Sequence, residues 1–185
     1  MAYIRFSIPE YDYKQFNGLS WKAPELISLE ETKKLTSIAE GGCSPVKAPN
    51  GVFEKFDIKG EHCHAIMCVV PSSGAHLLGR SWAWWKQRVV IIDSLVPGTM
   101  NVLHDWRTPR SMNTRLGPED GVPLSGGTYF ILTCHQYDDH WLGNRTVLDN
   151  EWDGADAGNG FRVLATSKDG SEDFSETCLT FTWNQ

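Results

Sequence analysis

The residues best suited to chemistry lie near the C-terminus, in the stretch SKDGSEDFSETCLTFTW. Asp169, Glu172, Asp173, Ser175 and Glu176 supply side-chain oxygens within eight positions of one turn. Calcium takes six to eight oxygens from carboxylates, carbonyls and water, and an acidic turn containing a glycine can provide several of them. The spacing is not that of an EF-hand, whose alternating D-x-D-x-D-G core is absent. A second acidic loop, LDNEWDGADAGNG, precedes it. There Asp149, Glu151 and Asp153 alternate with Trp152 and glycines, a composition suited to a cation or to a sugar whose apolar face stacks on the indole. One short strand separates the two loops, which places them at opposite ends of it.

Tryptophan is the next source of chemistry. In SWAWWKQR, read as part of a strand, Trp82 and Trp84 share one face with Lys86 and Arg88, and Trp85 points to the other. An indole left outside a core suits carbohydrate stacking or the headgroup level of a membrane. Trp106, Trp141 and Trp152 fall in loop-like segments and are the stacking candidates. His62 and His64 in GEHCHAIMC share a strand face, a spacing used by metal sites on β-barrels. His104, His135 or His140 would have to supply a third ligand, and no glutamate follows the pair as it does in cupins. Cys134 and His135 are neighbours in a strand, so they point to opposite faces and cannot form a nucleophile–base pair. There is no G-x-S-x-G elbow, phosphate-binding glycine loop or dinucleotide fingerprint.

The last hairpin resembles a known family. SKDGSEDFSETCLTFTW is similar to the C-terminal calcium loop and last strand of the bacterial calcium-dependent fucose/mannose-binding lectins. Their pattern there is Ser-acid-Asp-Gly, a short acidic run, Asp-Tyr-Asn-Asp, then an apolar strand ending in Asn-Trp. The resemblance implies a loop that holds calcium, with the calcium holding sugar hydroxyls. It implies Asp169, Asp173 and Glu176 as carboxylate ligands, with Ser175 in place of asparagine and Phe174 in place of tyrosine. Lys168 stands where the family has an acid, the loop is one residue shorter, and Gln185 stands where the family has a terminal glycine. The similarity covers about a tenth of the chain.

These loops need a scaffold. The chain has 185 residues, of which 41% are hydrophobic, enough for one domain with a substantial core. Its net charge of −6 is uneven: Asp138 to Gln185 carries ten acids against three bases, leaving the rest at +1. Such a balance argues against a nucleic-acid backbone as partner and calls for a cation, solvent or a basic partner at the acidic end. Five cysteines without a C-x-x-C pair do not read as a disulfide framework. The absence of an apolar leader or of an apolar run long enough to span a bilayer suggests a cytoplasmic protein. Asn144 heads an Asn-Arg-Thr triplet, a glycosylation sequon that has no meaning in that setting.

The elements read mainly as β. Strands are expected over residues 3–8, 52–58, 62–70, 81–95, 128–137, near Val147, and over 160–167 and 175–183. The segments 52–58 and 62–70 look like a hairpin turned at Lys-Gly-Glu, and residues 97–127 like one long loop. One helix is expected over about 29–39, with Ser28 and Glu31 as a capping box and Gly41-Gly42 as its stop. In the last strand Leu179, Phe181 and Trp183 point one way and Cys178, Thr180 and Thr182 the other. The expected fold is a single antiparallel β-sandwich or flattened barrel spanning 1–185. The expected function is a non-enzymatic, lectin-like carbohydrate-binding protein, assisted by calcium, that gains avidity as a homo-oligomer. The alternatives are a membrane-active, actinoporin-like pore former acting through Trp84 and Trp85, and a metal-dependent barrel enzyme built on His62 and His64.

Overall fold

The computed structural model describes residues 43–46, 52–60, 65–93, 101–110, 113–149, 160–167 and 176–184. They form two β-sheets packed face to face, joined by short connections and accompanied by one helical turn. The expected strand 3–8, helix 29–39 and residues His62 and His64 lie outside the described residues.

The first sheet has seven strands. These are β1 (Cys43–Val46), β2 (Ile58–Lys59), β3 (Ala65–Val70), β5 (Gln87–Asp93), β6 (Asn101–Arg107), β9 (Gly127–Tyr137) and β10 (His140–Gly143). The long β9 is its spine. It pairs along one edge with β5, and along the other with β3 and then β10. The second sheet has six strands: β4 (Ala75–Ser81), β7 (Thr114–Leu116), β8 (Val122–Leu124), β11 (Arg145–Asp149), β12 (Gly160–Thr166) and β13 (Thr177–Thr182). Its order is β11, β12, β13, β4, with β7 and β8 sharing the far edge of β4. The expected sandwich is the observed fold.

The central core lies between the sheets. Ile66, Cys68, Val89, Ile91, Tyr129 and Ile131 from the first sheet meet Leu77, Leu116, Phe161, Val163, Leu179 and Phe181 from the second. The alternation expected for the last strand holds, since Leu179 and Phe181 are fully buried and Trp183 packs against the same core.

The first sheet is also covered on its outer face. Residues 52–58 are not the expected strand. They form one helical turn, α1 (Val52–Lys55), then a turn through Asp57 at φ 53°, then β2. Phe53 and Phe56, three apart, fall on one side of that turn and bury themselves with Ile58 against Met67, Val90, Ile92, Phe130 and Leu132. β2 does not form a hairpin with β3 but pairs in parallel with β10. Double coverage explains why residues 89–92 of β5 and the middle of β9 read as unbroken apolar runs, buried on both faces.

Two further expectations are corrected. Residues 81–95 are not one bent strand: Ser81 closes β4, residues 82–86 cross from one sheet to the other, and β5 starts at Gln87. Residues 97–127 are not one loop, because β6, β7 and β8 lie within them. In β6, Leu103 is an extra residue opposite the Ile91–Ile92 step. This bulge puts His104 opposite Ile91 on the inter-sheet face and Asp105 opposite Val90 on the outer face.

Candidate functional site

Strand register gathers one set of connections at one end of the sandwich. Ser81, the end of β4, pairs with Thr177 at the start of β13 and with Thr114 at the start of β7. Gln87, the start of β5, pairs with His135 near the end of β9. The crossing segment 82–86, the β9–β10 turn and both stems of the acidic hairpin loop therefore share this end. Asp138 and Asp139 make that turn with φ 43° and 63°, the doubly left-handed conformation of a tight two-residue hairpin.

The crossing segment is pinned at both ends. The Trp82 N–H donates to the Glu176 carbonyl at 3.1 Å, and the Gln136 N–H donates to the Lys86 carbonyl at 2.9 Å. Between these anchors the indoles turn outward. Trp84 is 67% exposed and Trp82 38%, beside Tyr137 at 46%. Trp85 is half-buried, meets the Tyr137 ring edge-on at 5.4 Å and has the Arg110 guanidinium 5.2 Å from its centre. Because 82–86 is a connection and not a strand, Arg88 does not share the exposed face. It is buried on the outer face of the first sheet.

A buried polar layer lies beneath the aromatic surface. The Gln87 Oε1 accepts from Asn144 Nδ2 at 2.9 Å and from Thr177 Oγ1 at 3.0 Å, linking the two sheets. Its Nε2 donates to the Trp85 carbonyl at 3.4 Å. With the Asn144 amide nitrogen turned to Gln87, its Oδ1 faces His135 Nδ1 at 2.7 Å, which assigns the proton to Nδ1 of that imidazole. Gln87, Asn144 and Thr177 are essentially inaccessible to solvent, and His135 nearly so. The sequon asparagine is thus an interior hydrogen-bonding group.

The predicted site residues fall in different places. Glu176 sits at the stem of the acidic hairpin. Its Oε2 accepts from the Ser167 N–H at 2.6 Å and its Oε1 from the Ser167 hydroxyl at 2.8 Å, closing the loop's base. Asp169 and Asp173 lie outside the described residues, as do Glu151, Trp152 and Asp153. The backbone of Asp149 pairs with Arg162 at the far end of β11, so the loop that follows leaves from the other end of the sandwich.

Trp106 and Trp141 are placed on the first sheet. Trp106 packs against the central core, stacks on His104 with ring centres 4.9 Å apart, and has the Gly117 backbone against its indole. Gly117 has φ 84°, and a Cβ there would lie 2.5 Å from the ring. Burial pushes the His104 imidazole below its ordinary value. Trp141 lies on the outer face, with the Arg88 and Arg107 guanidinium centres 5.5 and 5.9 Å from its ring centre. Arg88 in turn grips Asp105 through two hydrogen bonds of 2.7 and 2.8 Å and donates to the Phe56 carbonyl at 2.7 Å. Those bonds, with a further one from Arg107, hold the Asp105 carboxyl below the usual carboxylate range. Among the described residues no three His, Cys, Asp or Glu side chains gather as a metal site, and His104, His135 and His140 stand apart.

No protein-family model matches the chain, and no curated protein matches it in sequence. Among solved structures its path is similar to that of three lectins. The Chromobacterium violaceum lectin CV2L, solved with α-methyl-fucoside, aligns at 12% identity over 64% of this chain and 96% of its own, with a TM-score of 0.45. The C-terminal domain of the Burkholderia cenocepacia lectin BC2L-C aligns at 12% over 63% and 92%, with a TM-score of 0.42. The Ralstonia solanacearum mannose-binding lectin aligns at 14% over 64% and 96%, with a TM-score of 0.43.

The exposed trio of Trp82, Trp84 and Tyr137 was not in the predicted ligand set, although SWAWWK signals an aromatic surface. The Gln87–Asn144–His135 layer was missed altogether. Its only sequence trace is Gln87, a polar residue just ahead of Arg88 and the apolar run over residues 89–92.

Proposed function

We propose that this protein binds carbohydrate, without catalysis, at the end of the sandwich where the Trp82–Lys86 crossing meets the acidic hairpin. The observation that carries the proposal is the hydrogen bond from Trp82 to the Glu176 carbonyl. It brings Glu176, at the stem of the acidic hairpin, beside the exposed indole surface. A pyranose offers an apolar C–H face and a rim of vicinal hydroxyls. Trp84 and Trp82 suit the face. Carboxylates of residues 169–176 suit the hydroxyls, accepting two bonds from a vicinal pair.

Calcium belongs to this reading through Asp169, Asp173 and Glu176. A carboxylate has about four acceptor positions, and the two bonds from Ser167 leave Glu176 oriented with capacity for a cation. Bound there, calcium would offset the clustered negative charge and coordinate hydroxyl oxygens. The test is a glycan array probed with the wild type and Trp84→Ala, each in calcium and in EDTA. Glycan binding lost in the variant supports the reading. An array with no binding in either buffer rejects it.

A second reading follows from the same surface. Lys86 and Arg110 flank the exposed aromatics, a combination that fits a membrane interface. No helix among the described residues is long and apolar enough to cross a membrane. Leakage of dye from phospholipid vesicles, abolished in Trp84→Ala, would favour this reading over the first.

A further inference from the structure

The opposite end of the sandwich holds a depression of about 300 Å³. It lies between the β3–β4 turn, β8 and the residues that follow β13. Its walls include Ser73, His76, Pro123, Thr182, Trp183 and Asn184. Register explains the gathering: His76 pairs with Thr182 on one side and Pro123 on the other, at the last rungs of the second sheet.

Three features make this a shaped site. The Trp183 ring is held against the core, tilted 60° to Phe161 at 5.7 Å, and is only half-buried. Gly74, at φ 86°, brings the β3–β4 turn so close to β8 that a Cβ would lie 2.8 Å from the Leu124 carbonyl oxygen. Gly121, at φ 72°, lets the His76 imidazole rest on bare backbone, where a Cβ would lie 2.7 Å from Nε2. Among the described residues, the Ser73 hydroxyl, the His76 ring and the Asn184 amide have no hydrogen-bond partner, which leaves their donors and acceptors facing the depression. Among the described residues, no Asp, Glu, Lys or Arg lines the depression.

An indole beside uncharged hydrogen-bonding groups, in a volume at the small end for ligand sites, suits one small neutral ligand with an apolar face and a polar rim. We infer that this depression is a second pyranose subsite, independent of any cation. The choice of a sugar rests on the carbohydrate reading above; the site itself does not share its residues. β13 separates the two ends by about 20 Å, from its six residues at about 3.3 Å each. A single chain would then engage two sugars of a branched or repeating glycan and gain avidity without oligomerising.

Saturation-transfer NMR on the full chain in EDTA, with the methyl glycosides of mannose, fucose, glucose and galactose as probes, tests this. At least one glycoside is expected to receive transfer from the wild type and equally from Trp84→Ala. Transfer should fall at least fivefold in Trp183→Ala. Because that ring also packs on the core, the double variant His76→Ala/Asn184→Ala, altered only at exposed positions, should show the same loss. Undiminished transfer in the double variant, or transfer lost in Trp84→Ala, overturns the second subsite. Glycan-array binding in calcium with no transfer in EDTA overturns the second subsite alone and leaves the first standing. No glycan binding under either condition removes both.

Discussion

The Trp82 N–H and the Glu176 carbonyl meet at 3.1 Å, tying the crossing between the sheets to the stem of the acidic hairpin. Glu176 is committed twice. Its carbonyl holds the tryptophan segment and its carboxylate holds Ser167. Any movement of the hairpin stem is therefore passed to the indoles.

Trp84 is the residue whose loss should separate binding from folding. With two-thirds of its surface exposed, it contributes little to the core. Trp84→Ala is expected to move the melting temperature by no more than about 2 °C, as for other surface substitutions. Glycan affinity should fall about tenfold or more, equivalent to about 1.4 kcal/mol. Thermal melts and titration with the best array ligand measure both.

Calcium should raise the melting temperature if the acidic hairpin holds it. A cation at 100 times its Kd stabilises the folded state by about 2.7 kcal/mol, or roughly 5–10 °C for a chain of this size. EDTA should reverse the rise, and Glu176→Gln should reduce it. Equal melts in calcium and EDTA would remove calcium from the proposal.

Much of the fold was legible in the sequence, and the reasons are local. The second half of β13 alternates, with Leu179 and Phe181 buried and Thr180 and Thr182 half-buried, so Leu179 and Phe181 declared the core. The outer layer did not declare itself. VFEKFDI has strand-like composition, but Phe53 and Phe56 also suit a helical turn, and only the apolar outer face of the first sheet decides between them. β7 and β8, three residues each, are too short to show a period. The candidate site was half legible. Its acids and tryptophans were visible as types, whereas the approach of Trp82 to Glu176 depends on Ser81 pairing with Thr177, a contact between distant segments.

Gln87 should be the polar residue whose loss is felt most widely. Gln87→Leu keeps much of the volume but leaves the Asn144 amide and the Thr177 hydroxyl without their shared acceptor. The expected cost is about 3 kcal/mol, from unpaired buried donors. Adding Thr177→Val should recover part of it, because an apolar pair is cheaper than a half-satisfied one. Chemical denaturation of the single and double variants measures the coupling. Additive losses would mean that the bridge between the sheets is not energetically linked.

Asp105 should govern acid sensitivity on the opposite face of the first sheet. The side chain of Arg88 is 6% exposed and that of Asp105 29%, and Arg88 also lies 5.5 Å from the ring centres of both Phe56 and Trp141. Asp105→Ala would strand a buried guanidinium, at a cost of about 3 kcal/mol, the low end for breaking a buried pair because the carboxylate is partly solvated. The hydrogen bonds from Arg88 depress the folded carboxyl, so its contribution is present above the ordinary unfolded value of about 3.9 and is lost as pH falls through the lower folded one. The wild type should therefore lose stability below about pH 4, and Asp105→Asn should lose less over the same interval. Parallel melts from pH 7 to pH 3 decide it. Equal acid slopes in the two proteins would show that other carboxylates set the acid limit.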